Sequence, residues 1–325
     1  MSQTNQRPPT PRGLPLLGNT IDFVRDPLGF VRESVADTGD VFRMQLLGKD
    51  VYILAHPEYV ETALLDRDTF VKLDDFKIAF GDALLSVHGD QWQRQRHAME
   101  EFFSPARIAE HAETMTSVAA ARIADWGNEE HIQIDQLMQA IALENLFEVV
   151  LGHSVSEPQL TELVETANTL NLWFKPSSWA LPEWLPTPAR RRFQRGSAEF
   201  RSIAQTLLSD GETKDADESL LARLAALRDA PDSEFTESEV LDQVVGMVFA
   251  GHETTALTMA YALHQIGSHP TVAERVYAEL DAVIDGQPTP ADLRQLEYLD
   301  QVLNETFRLY TRRTRASTPT HRGRG

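Results

Sequence analysis

The chain has 325 residues, 42 % apolar and 24 % charged, the proportions of a soluble globular protein with material for one large core or two smaller ones. It contains no cysteine, which excludes disulfides, cysteine-ligated zinc, iron–sulfur clusters, thiol nucleophiles and a haem held by thiolate. Thirty basic against 49 acidic residues leave a formal charge of −19, so nucleic acid and anionic lipid are poor partners. The 25 Arg and 5 Lys suit either a high-salt cytosol, where carboxylates keep the surface hydrated, or a GC-rich codon supply.

Met1 to Arg12 is polar and Pro-rich, with no apolar segment of a signal peptide. The longest apolar stretch, Val244 to Gly251, falls far short of the roughly 20 residues a membrane span needs. A soluble cytoplasmic protein without a membrane anchor is expected. Residues 28–36 read as a short helix stopped by Gly39. Val41–Leu47 and Val51–Ala55 read as strands joined by a turn over Gly48-Lys49-Asp50.

From Pro57 onward the pattern is helical. Ser104-Pro105 is an N-cap followed by proline, predicting a helix to about Trp126. Asp135 caps another to about Leu151, and further helices cover 156–170 and Pro188 to Ser209. Between the last two, Leu172 to Trp184 holds three of the five tryptophans in a Pro-broken loop. It either plugs its own aromatics into the core or forms an apolar lid. A helix follows at 219–229, and Thr236-x-x-Glu239 is a capping box that opens the longest helix, to about Ser268. Two more occupy 271–284 and 296–309. The fold expected is mainly α with a small β region near the N-terminus.

Three constellations bear on chemistry. The first is Ala250-Gly251-His252-Glu253-Thr254-Thr255 in the long helix. Gly251 costs about 1 kcal/mol in a helix interior relative to Ala. Thr254 and Thr255 are placed to hydrogen-bond back to the carbonyls of Ala250 and Gly251, which bends a helix. A bend with no side chain at Gly251 makes a notch for a flat or diatomic ligand. Glu253 beside a hydroxyl is what proton delivery requires, although a solvated Glu on a kinked core helix explains the same letters. His252-Glu253 also begins HExxH, but the second ligand position is Ala256, and His264 and His269 do not share a helix face, so no metal site is read.

The second is Trp92 and Arg96, one helical turn apart: two donor-only groups that suit a carboxylate, or else a packed indole and a solvated guanidinium. The third is Glu305 and Arg308, an i, i+3 pair that taken alone is an ordinary surface ion pair. No phosphate-binding loop, nucleophile elbow or dinucleotide fingerprint occurs.

In order, the Pro-rich lead-in Pro11-Arg12-Gly13-Leu14-Pro15-Leu16-Leu17-Gly18, WxxxR at Trp92–Arg96, AGxETT at Ala250–Thr255 and LxETxRLY ending at Tyr310 resemble the cytochrome P-450 family over about residues 8–310. The resemblance implies the mainly α P-450 fold and a haem b cofactor. Trp92 and Arg96 would hold a haem propionate, Ala250 and Gly251 would form an oxygen groove, and Glu253 and Thr254 would deliver protons for oxygen activation. Glu305 and Arg308 would be structural. The Trp173–Trp184 loop would lie above the channel of an apolar small-molecule substrate. A ferredoxin- or flavodoxin-type protein would supply electrons.

The family's next segment carries the cysteine that ligates iron, whereas here Thr311 to Gly325 reads TRRTRASTPTHRGRG. A domain over residues 1–310 followed by an aberrant basic tail over 311–325 is therefore expected, the tail being a basic arm or an out-of-frame stretch. Without its thiolate the chain is expected to be a monooxygenase by lineage and incompetent as written. A non-enzymatic helical remnant without haem is the alternative.

Overall fold

The structure, a computed structural model, describes residues 7–66, 69–70, 74–124, 126, 131–175, 178, 184–210, 219–229 and 235–310. Helices dominate, and the described residues contain one two-stranded sheet. Helices α1 (Thr20–Arg25) and α2 (Pro27–Thr38) precede strands β1 (Val41–Leu46) and β2 (Lys49–Leu54). The strands pair antiparallel from Val41↔Leu54 to Leu46↔Lys49. Alternation along β1 buries Phe42, Met44 and Leu46 in a small core with Phe23 of α1, flanked by Phe30, Val31 and Val35 of α2.

The turn lies one residue earlier than expected. Leu47 and Gly48 both take positive φ, at 48° and 84°, as a two-residue turn of the primed kind demands. Lys49 and Asp50 are thereby released into the ladder.

Helices α3 (Pro57–Leu65), α4 (Asp74–Phe80) and α5 (Gly89–Glu100) follow, then α6 (Pro105–Glu110) and α7 (Ala112–Ala124). Ser104 caps α6 as expected, its Oγ accepting from the Arg107 N–H at 3.4 Å. The single helix expected to Trp126 is instead divided at His111, whose N–H turns back onto the Ile108 carbonyl. Helix α8 (Ile134–Asn145) starts one residue before Asp135, which sits in its first turn rather than at its cap. One π turn, Leu146–Val150, prolongs it. Helix α9 (Glu157–Leu170) tightens into a 3-10 turn, Asn171–Phe174.

The remainder is α10 (Pro188–Asp210), α11 (Leu220–Asp229), α12 (Glu237–Ser268), α13 (Pro270–Val283), α14 (Pro290–Leu293) and α15 (Glu297–Leu309). The 32 residues of α12 make it the axis of the molecule, packed by α8, α9, α10, α11, α13 and α15. Its capping box closes both ways: Thr236 Oγ1 accepts from the Glu239 N–H at 3.1 Å, and Glu239 Oε2 accepts from the Thr236 N–H at 2.9 Å. Val240, Val244, Val245 and Val248 of α12 share the main core with Leu143 and Phe147 below and Leu163, Leu170 and Phe200 beside. Among the described residues no helix is long and apolar enough to cross a membrane. The Arg-rich segment 311–325 lies outside the described residues.

Candidate functional site: the middle of the long helix

Around its midpoint α12 is buried at Val244, Val245, Val248, His252 and Ala256. Met247, Ala250, Gly251, Thr254 and Thr258 are only half-buried, although the helix is the centre of the core. Their spacing places them along one side of the helix. The local chemistry expected at Thr254 is present: its Oγ1 donates to the Ala250 carbonyl at 2.5 Å, and Thr258 repeats the bond onto the Thr254 carbonyl at 2.8 Å. Thr255 is exposed and makes no such bond among the described residues.

Gly251 differs from its expected part. A Cβ there would lie 3.2 Å from Leu146 Cδ1, so its missing side chain admits Leu146 rather than leaving an empty notch. Ala250 and Thr254 remain as the small residues of the stripe. Glu253 is half-buried beside them. Its charge reaches Tyr261, whose hydroxyl is pushed to higher pKa by burial first, then by Tyr310 and Glu253. Tyr261 stacks on Tyr310 at 4.4 Å, and Gln265 Nε2 donates to the Tyr310 hydroxyl at 2.6 Å.

Trp92 and Arg96 lie on α5 one turn apart, the indole half-buried and the Arg96 side chain 58 % exposed. Arg96 Nε is 3.9 Å from Glu100 Oε2, a loose surface pair. Glu305 and Arg308 form a two-pronged ion pair at 2.6 Å on each prong, both side chains more than half exposed. Arg308 lowers the pKa of the Glu305 carboxyl and Glu305 raises that of the guanidinium, each chiefly by hydrogen bonding. The structure thus gathers Ala250, Glu253 and Thr254 on one helix and leaves the Trp92–Arg96 and Glu305–Arg308 pairs separate from them.

Of the three tryptophans of the Pro-broken loop, Trp173 is buried against Phe193 at 5.2 Å, Trp184 is 80 % exposed, and Trp179 lies outside the described residues. Phe174 belongs to a cluster that sequence reasoning missed. It meets Phe76 and Phe80 of α4 at 5.6 and 5.9 Å and Phe249 of α12 at 5.1 Å, and Phe80 reaches Phe249 at 4.4 Å. These four rings form an aromatic wall that ends one residue before Ala250. The signal available was only the phenylalanine preceding AGxETT.

His252 was weighed from the sequence only as a metal ligand. It is 0 % exposed, and neither ring nitrogen completes a hydrogen bond among the described residues. Burial drives its pKa down to about 4 and outweighs the opposing pull of the Val248 carbonyl. Among the described residues no three His, Asp or Glu side chains gather as a metal site.

The fold is mainly α and wound on one helix, which carries a half-buried stripe of small residues beside an acid and a hydroxyl. The chain belongs to the cytochrome P450 family, whose profile matches residues 8–315. It is 30 % identical to cyclooctat-9-en-7-ol 5-monooxygenase of Streptomyces melanosporofaciens, over 92 % of this chain and 67 % of that protein. It is 28 % identical to pentalenene oxygenase of Streptomyces avermitilis, over 92 % and 68 %. A retinoic acid bound cyanobacterial CYP120A1 shares the fold at a TM-score of 0.79 and 22 % identity, over 93 % of this chain and 69 % of that one. The chain thus spans about two thirds of each of these relatives.

The family is one of haem monooxygenases, and the residues present fit part of that cofactor. The half-buried stripe through Ala250 and Thr254 offers a flat face, and Trp92 and Arg96 offer donors for carboxylates. The thiolate that holds iron in this family has no candidate among the 325 residues, none of which is cysteine.

Proposed function

We propose that residues 1–310 form the part of a cytochrome P450 monooxygenase domain that lines the oxygen-binding side of haem, with 311–325 a separate basic segment. The half-buried stripe of α12, one turn from residues of the same helix that are buried in the core, is the observation that carries this reading. When bound, haem supplies the iron at which dioxygen is activated for transfer of one oxygen atom to an organic substrate. Trp92 and Arg96 would hold a propionate by donating hydrogen bonds from the indole and guanidinium. Ala250 would line the oxygen groove, and Gly251, whose missing side chain admits Leu146, would set the packing of the helix beside it.

Thr254 Oγ1 is pinned by the Ala250 carbonyl, and holds its oxygen where it can pass on a proton received from the Glu253 side. Glu305 and Arg308 are structural. The aromatic wall of Phe76, Phe80, Phe174 and Phe249 binds an apolar small molecule and excludes water. Cyclooctat-9-en-7-ol and pentalenene, the compounds in two relatives' names, are the substrates to try first. Electrons come from a separate ferredoxin- or flavodoxin-type protein, and the site of action is the cytoplasm.

The 325-residue chain itself, having no cysteine, does not complete the haem-thiolate centre and does not hydroxylate on its own. Expression with excess haem and an absorption spectrum of the reduced, carbon-monoxide-treated protein tests this. The expected result is no thiolate-type Soret band. Such a band from this polypeptide would refute the inactivity. A cooperative melt without any haem uptake would favour a non-enzymatic helical protein.

A further inference from the structure

The start of α12 carries a polar network that the proposed chemistry does not use. Asp242 is 2 % exposed, and its carboxylate accepts from the Asp82 N–H at 2.7 Å and from the Arg201 guanidinium of α10. The next residue grips the same segment from both sides: Gln243 Oε1 accepts from the Leu84 N–H at 2.9 Å, and its Nε2 donates to the Asp82 carbonyl at 3.1 Å. Gln95 of α5 donates to that carbonyl at 2.8 Å. Gly81 stands at φ +58°, and a Cβ there would collide with the Asp242 carboxylate. One turn further along α12, a Cβ on Gly246 would come within 2.9 Å of Ala83 Cβ. Asp242, Gly246 and Phe249 recur at i, i+4, i+7 on one side of the helix, so segment 76–84 lies along that side from the carboxylate to the aromatic wall.

Arg201 is the detachable part of this arrangement. Its side chain is 34 % exposed, whereas that of Asp242 is 3 % exposed, so the pair meets solvent only through α10. Phe80 and Phe76 come from α4, directly before the gripped residues, and Ser86 Oγ ties the segment back to the Phe76 carbonyl at 3.0 Å. Phe174 ends the 3-10 turn that packs on α10. Asp242 thus meets both sides of the wall, the 76–84 segment through the Asp82 N–H and α10 through Arg201, while Gln243 adds two bonds to the segment alone.

We propose that Arg201 and Asp242 form a clasp that holds α4 and α10 shut over Phe249, and that its release opens the aromatic wall to an apolar ligand. Asp242 and Arg201 are positioning residues: they act through the wall. The access role rests on reading that wall as one side of the substrate pocket. The clasp itself does not, and neither measurement below needs haem.

The test uses the full chain and three variants. Arg201→Met keeps the length of the side chain and removes its charge, Arg201→Lys restores a cation, and Asp242→Asn sets an amide against two donors. Hydrogen exchange followed by mass spectrometry reads peptides containing the Asp82 and Leu84 amides. Stopped-flow fluorescence reads the uptake rate of Nile red. Arg201→Met is expected to speed exchange at 82–84 at least tenfold and Nile red uptake at least threefold, with amides of α8 unchanged. Arg201→Lys is expected to recover most of both. Should Asp242→Asn not fold, the Arg201 pair of variants decides alone. Unchanged exchange at 82–84 in Arg201→Met would overturn the clasp. Equal Nile red uptake by wild type and variant, or uptake by neither, would overturn its role in access.

Discussion

A neutral imidazole at position 252 is stable only while it stays uncharged. The folded-state pKa of His252, about 4, lies below the ordinary value of 6.5, so the unfolded chain binds its proton first. The sign follows: the contribution is fully present above pH 6.5 and is lost as pH falls through that value towards 4. The total is about 3 kcal/mol, from 1.36 kcal/mol for each pKa unit. Urea unfolding of wild type and His252→Leu at pH 7 and pH 4 should show wild type losing about 3 kcal/mol more than the variant over that interval. Equal losses would mean that His252 is not the titrating group. Its burial was not legible beforehand, because a histidine amid apolar residues reads equally well as a ligand, a surface residue or a packed ring. Thr254 was legible, since a hydroxyl four residues after a carbonyl on a helix has a short-range partner within reach.

Local signals of this kind account for most elements. The Thr236–Glu239 box announced α12, and Ser104-Pro105 announced α6. What local signals did not show was the break at His111, which follows from a carbonyl choice within one turn, and the shift of the β-hairpin turn. The latter depended on Leu47 accepting a left-handed φ of 48°, a conformation that leucine rarely takes. The clasp was illegible for another reason. Asp242 meets the Arg201 guanidinium 41 residues away and the Asp82 N–H 160 residues away, and no spacing rule relates either to it.

At this scale Thr236→Ala removes the cap of the long helix and should cost about 1 kcal/mol in thermal or urea unfolding. The loss should be larger than in an exposed peptide helix because the bond from Thr236 Oγ1 to the buried Glu239 carboxylate is lost as well. Its carboxyl has a pKa of about 2: burial alone would raise it, but the Thr236 N–H, Arg94 and Gln91 together outweigh burial. Gly81→Ala combines a left-handed φ with a collision at Asp242, and should cost roughly 1–3 kcal/mol by the same measurement. No loss in Gly81→Ala would show that the segment yields freely.

Over the whole molecule, a formal charge of −19 on 325 residues is a standing repulsion that the fold must withstand. Part of it is relieved by arginines set between carboxylates. Arg122 lies 2.7 Å from Glu144 and 2.6 Å from Glu157, and its pKa is raised because these hydrogen bonds outweigh its burial. The remaining repulsion acts between exposed groups and is screened by salt, whose Debye length falls from roughly 30 Å at 0.01 M to about 8 Å at 0.15 M. The melting temperature should therefore rise by a few degrees between those concentrations of sodium chloride. A fall would mean that attractive surface pairs outweigh the net repulsion.

The 32-residue length of α12 has a consequence for which sequence changes the family frame can absorb. Asp242 and Thr254 stand 12 residues apart on one unbroken helix, about 18 Å along its axis. That helix works as a ruler and as a compass: it sets how far the Arg201 contact lies from the hydroxyl, and in which direction each faces. Substitutions within the interval leave both settings alone. Inserting a single residue turns everything beyond it by about 100° and would carry Thr254 away from the half-buried stripe to the exposed place that Thr255 now holds. Drift in side-chain identity along this stretch is thus compatible with one architecture, whereas drift in its length is not.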